Sequence, residues 1–110
     1  MSDIKDYIRD AHKIATEKGF YDTKRDFTHY CMMIITEISE AVQSDRKNHS
    51  YEDIMGELAD TTIRLFDFIA WLEEEADKSM ILTKDNTFEE ILKKTMEYFK
   101  TRPYKHGRKY

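Results

Sequence analysis

Two acidic pairs sit at a spacing that could do chemistry: Glu37 with Glu40, and Glu57 with Asp60. Each pair is spaced i, i+3, so on a helix both carboxylates lie on one face about one turn apart. The stretch between the pairs, Gln43 to Ser50, is polar and centres on Lys47-Asn48-His49-Ser50, which suits a helix–helix turn. Two helices joined that way run antiparallel, and the acidic pairs then face each other. Four carboxylates brought together repel, and each resists ionisation unless a cation sits among them. Oxygen ligands without Cys or His suit a hard ion, Mg²⁺ or Mn²⁺. The expectation from these residues is a Mg²⁺-dependent enzyme acting on phosphates.

The bland alternative is solvent decoration, since 22 of the 110 residues are acidic and such pairs arise often on solvated helix faces. The surroundings argue against it. Glu37 sits among Met32, Met33, Ile34, Ile35 and Ile38, while Glu57 and Asp60 open a run containing Leu58, Ile63, Leu65, Phe66, Phe68 and Ile69. Carboxylates embedded in apolar helix are costly unless paired or metal-bound.

Four helices are expected to carry these residues. Ile4, Tyr7, Ile8, Ala11, Ile14 and Ala15 recur at helical spacing from about Asp3 to Lys18, with Ser2 or Asp3 as cap and Gly19 as terminator. His12 lies beside that stripe, where a lone His is usually structural or exposed. A second helix is predicted from about Lys24 to Arg46, with Phe27, Cys31, Ile34, Ile35, Ile38 and Val42 inward and Glu37 and Glu40 on the flank. The third starts at Ser50 as N-cap, with Asp53 three residues on, and runs to about Asp77. Its apolar residues cover more than half its circumference, which in a small chain points to a subunit interface near Ile63, Phe66 and Ala70. Glu57, Asp60, Arg64, Asp67 and Trp71 share the remaining face, where Arg64 neutralises the acidic strip or, as the less favoured alternative, binds phosphate. After a connector from Lys78 to Asn86, Thr87 and Glu90 form a capping box for a fourth helix, which Pro103 ends. The fold class is therefore all-α: an antiparallel four-helix bundle-like protomer in a dimer or tetramer, with residues 1–110 as a single domain.

Composition narrows the function. Cys31 is the only cysteine, so neither an intrachain disulfide nor a thiolate metal cluster is possible. The chain shows neither a basic start followed by an apolar run nor an uninterrupted apolar stretch of about 18 residues, so a cytoplasmic location and no membrane span are expected. Four of the 18 basic residues fall in the last ten positions with none of the 22 acids, leaving 14 against 22 elsewhere, a charge of −8. A body that acidic argues against binding long nucleic acid. A basic tail beside an acidic metal site suits a small polyphosphate instead.

With these residues in view, the sequence resembles the all-α nucleotide pyrophosphohydrolases of the MazG-like and dimeric-dUTPase superfamily. Their signature is E-x-x-E, a gap, then E-x-x-D; here it reads Glu37-Ile-Ser-Glu40, sixteen residues, then Glu57-Leu-Ala-Asp60. The wider likeness takes in Gly19-Phe20-Tyr21-Asp22, I-T-E-I-S-E-A-V with its D-R-K end, G-E-L-A-D-x-x-I-R-L-F-D, and T-R-P-Y-K-H-G-R-K. One departure is Phe99, where relatives often carry Asn. The resemblance implies hydrolysis of a nucleoside triphosphate to its monophosphate and pyrophosphate. It implies that Glu37, Glu40, Glu57 and Asp60 hold Mg²⁺, which Mn²⁺ can replace, and that one of them can instead take the proton of the attacking water. The basic tail, Arg102, Lys105, His106, Arg108 and Lys109, is expected to meet phosphate charge.

Rival readings differ in what they need. A di-iron bundle requires Glu-x-x-His motifs, and neither Glu40 nor Asp60 is followed by His three residues on. A non-catalytic dimeric helical binding protein would have no use for all four acids. Within the enzyme class, dUTPase and phosphoribosyl-ATP pyrophosphohydrolase activities are the alternatives.

Overall fold

The computed structural model describes residues 3–103, and among them every regular element is helical. Helix α1 spans Ile4–Glu17, α2 Phe27–Arg46, α3 Tyr51–Lys78 and α4 Phe88–Thr101, with a 3₁₀ turn at Lys84–Asn86. None of the described helices is long and apolar enough to cross a membrane. The chain divides into two compact units, Met1–Leu72 and Glu73–Tyr110.

The helix ends follow from local chemistry. Asp3 caps α1 through a capping box with Asp6, each side chain accepting from the other's backbone N–H. Gly19 then leaves the helix at φ 84°, and a Cβ there would come within 3.0 Å of the Asp22 carboxylate. Helix α2 begins three residues later than expected, because Asp26 accepts from the His29 N–H and takes the N-cap position. At its far end Asn48 adopts φ 56°, and the His49 N–H reaches back to the Ser44 carbonyl, closing the expected turn. Ser50 caps α3 by accepting from the Asp53 N–H.

In the first unit the core is small. It comprises Ile8, Ala11 and Ala15 of α1, Tyr30 of α2, and Phe68, Ile69 and Ala70 of α3. Tyr30 stacks on Phe68 with ring centres 5.0 Å apart and lies 4.9 Å from Trp71, while Phe27 meets the Phe68 ring edge-on. Moving along α2 from Tyr30 to Glu37, the α3 partner moves back from Phe68 to Arg64, so the two helices run antiparallel.

Two expectations about packing change. Phe27, Ile35, Ile38 and Val42 of the α2 stripe are all more than two-fifths exposed, and α2 buries Tyr30 and Ser44 instead. Periodicity shows that a face is apolar, and the geometry of the hairpin decides whether the chain itself covers it. On α3, Ile63 is exposed, but Ala70, expected near an interface, is already buried within the chain.

In the second unit, Thr87 caps α4 by accepting from the Glu90 N–H, and Glu73 accepts from the Phe88 N–H. The 3₁₀ turn was not foreseen. It follows Met80, which takes φ 58°, and Asn86 donates its side-chain amide to the Ile81 carbonyl.

Candidate metal centre

The antiparallel α2–α3 hairpin sets the acidic residues against one another. Glu40 lies roughly three turns along α2 from Tyr30, and Glu57 lies roughly three turns back along α3 from Phe68, so the stacked rings fix their register. Glu37, Glu40 and Glu57 each offer a carboxylate oxygen, and these oxygens all lie within 4.8 Å of one another. Asp60 is not in that trio. It stands beside Glu37 on the wall of an adjoining open cleft of about 250 Å³, lined also by Phe20, Ile63 and Arg64.

Electrostatics mark the cluster as short of positive charge. Glu57 is half-buried, and its Oε2 is sealed from solvent without a hydrogen-bond partner. Its pKa is raised, first by burial and then by the neighbouring carboxylates of Glu40, Asp60 and Glu37. A buried acceptor facing other acceptors needs either a proton or a cation. The donor set is all oxygen, as a hard divalent ion prefers.

A basic side chain of α3 reaches this region. Arg64 follows Asp60 by four residues on the same face of α3, and its Nε lies 3.6 Å from Glu37 Oε1. Its guanidinium also lies 4.7 Å from the centre of the Phe20 ring, and the Arg25 guanidinium lies 4.9 Å from the same ring. The sequence assigns Arg64 to the acidic strip and gives Phe20 no role at the site, because an aromatic after a terminating Gly carries no signal of what will rest on it.

A buried network ties the segment after Gly19 to α1 and α3. Asp67 is 2% exposed; its Oδ1 accepts from the Tyr21 hydroxyl at 2.7 Å and lies 2.9 Å from His12 Nδ1. His12 meets the Tyr21 ring edge-on at 5.0 Å. The Tyr21 pKa rises well above the ordinary phenol range, mainly through burial and then through the Tyr30 hydroxyl and Asp67; that of Tyr30 is raised by burial first. The sequence sets Asp67 on the face of α3 that carries Glu57 and Asp60. It turns inward because α1 and the connector after it supply two partners, which a single-helix wheel does not show.

Arg102 belongs to the second unit and stacks against Phe99 and Tyr98, at 5.2 and 5.6 Å from the ring centres. Lys105, His106, Arg108 and Lys109 lie outside the described residues. Comparison with protein families, curated proteins and solved structures finds no match to this chain.

Proposed function

We propose that this chain is a Mg²⁺-dependent hydrolase that cleaves a nucleoside triphosphate to its monophosphate and pyrophosphate. The observation that carries the reading is the convergence of Glu37, Glu40 and Glu57 from two helices, with the sealed and unpartnered Glu57 Oε2 among them. These three carboxylates would hold the ion, and Asp60, on the same cleft wall as Glu37, completes the acidic set. When bound, the ion supplies charge neutralisation for the phosphates and an acidified water for attack at phosphorus. Glu57, whose pKa is raised, is suited to hold a proton at the cluster. Arg102 and the basic residues after Pro103 would contribute to binding the triphosphate.

The exposed apolar residues of α2 and α3, including Ile35, Ile38, Val42, Leu58 and Ile63, support a homo-dimer or homo-tetramer. A cytoplasmic location belongs to the same proposal. The test is pyrophosphate release from a panel of ribo- and deoxyribonucleoside triphosphates with Mg²⁺, extended to dUTP and phosphoribosyl-ATP to separate those activities. Glu40→Gln should abolish turnover. Absence of turnover across the whole panel, with the chain folded and Mg²⁺ saturating, would favour a non-catalytic binding protein.

A further inference from the structure

Arg64 does not look like a structural brace. A brace would be a sealed, bidentate fork, whereas Arg64 meets Glu37 at 3.6 Å, too long for a good hydrogen bond, with 26% of its side chain exposed. Its donors are therefore little used by Glu37. Its guanidinium lies 4.7 Å from the centre of the Phe20 ring, and Arg64 lines the open cleft together with Phe20, Glu37, Asp60 and Ile63. The cleft thus joins a member of the acidic cluster to a cation held against an aromatic ring.

We propose that Arg64 is an exchangeable counter-cation: it pairs with Glu37 while no metal is bound, and binds phosphate oxygen once a metal–polyphosphate enters the cleft, with Phe20 keeping its guanidinium in place. This rests on the reading of the acidic cluster as a metal–polyphosphate site. Without metal, Arg64 relieves repulsion among the carboxylates. An arriving divalent ion competes with it for Glu37 and is repelled by it. Once Glu37 is committed to the ion, the guanidinium is left facing the cleft with its charge less balanced. The ligand chemistry matching a planar five-donor fork beside a metal is a phosphate or pyrophosphate group.

The experiment measures two bindings on the full chain: Mn²⁺ alone, by electron paramagnetic resonance of the free ion, and inorganic pyrophosphate on the Mn²⁺-saturated protein, by calorimetry. Arg64→Gln should bind Mn²⁺ about three- to tenfold more tightly, because a like charge a few ångströms away has gone. The same variant should bind pyrophosphate about tenfold or more weakly. Arg64→Lys keeps the charge and should hold Mn²⁺ as the wild type does, while recovering only part of the pyrophosphate affinity. Phe20→Leu leaves both charges in place and should weaken pyrophosphate alone, and it serves as the second variant should Arg64→Gln fold poorly. Unchanged or weaker Mn²⁺ binding in Arg64→Gln, or unchanged pyrophosphate binding in both Arg64→Gln and Phe20→Leu, overturns the role given to Arg64. Failure of the wild type to bind Mn²⁺ instead overturns the metal reading itself, and this inference with it.

Discussion

The buried Asp67 network should set much of the stability of the first unit, and Tyr21→Phe isolates its contribution. The substitution removes one hydroxyl and leaves the ring against His12 and Tyr30. What is lost is a 2.7 Å hydrogen bond to a carboxylate with 2% exposure. A hydrogen bond to a charged group contributes about 1.5–3 kcal/mol. In a domain of this size each kcal/mol moves Tm by about 4–8 °C, so a fall of roughly 10 °C is expected. Asp67→Asn keeps an acceptor for Tyr21 and His12 but loses its charge, so the Tyr21 hydroxyl should be worth less in that background. The double-mutant cycle should then give a coupling of about 1 kcal/mol or more. Urea denaturation of the four proteins measures it. A loss below about 0.5 kcal/mol for Tyr21→Phe, with no coupling, would refute the network as a stabilising unit. Alkaline absorbance titration gives a second check, since the raised pKa values of Tyr21 and Tyr30 keep these two hydroxyls protonated above the ordinary phenol range. The folded state then holds protons that the unfolded chain releases, so stability must fall as pH rises past about 10.

Further outcomes follow from the same structure. In metal-free protein, the raised Glu57 pKa contributes stability that is fully present below its usual value of 4.5 and is lost as pH rises through the raised one. Glu57→Gln should therefore gain on the wild type in Tm as pH climbs from about 4 toward 7, and saturating Mg²⁺ should close that gap; a gap independent of pH would contradict the cluster's mutual repulsion. Gly56 lies within α3 with nothing within 4 Å of a built Cβ, so Gly56→Ala should stabilise the chain by about 0.5–1 kcal/mol in thermal melts. Loss of self-association in sedimentation by that variant would mean a second copy fills the space. If the tail binds the triphosphate as proposed, removing residues 103–110 should raise KM about tenfold or more and make it less sensitive to salt; unchanged steady-state kinetics at two ionic strengths would remove the tail from substrate binding.

Helix α1, the Ser50 cap, the Asn48 turn and the Thr87 cap were all legible in the sequence, because each depends on residues within a few positions of one another. The facing of Glu37 and Glu40 toward Glu57 was legible for a related reason: a short polar turn between two periodic segments leaves little choice but an antiparallel hairpin. Tertiary structure alone decided the rest. The stacking of Tyr30 on Phe68 sets which turn of α2 meets which turn of α3, and so draws Glu57 into the trio while Asp60 stands with the cleft. Asp67 is buried, and Ile35 and Val42 exposed, because burial depends on what neighbouring elements bring and not on the helix wheel alone. Arg64 and Phe20 are 44 positions apart in the chain, and they meet because the connector after Gly19 is tied to α3 through Tyr21 and Asp67. Local chemistry is written in short sequence spacings; a site assembled from three separate segments is specified only when they pack.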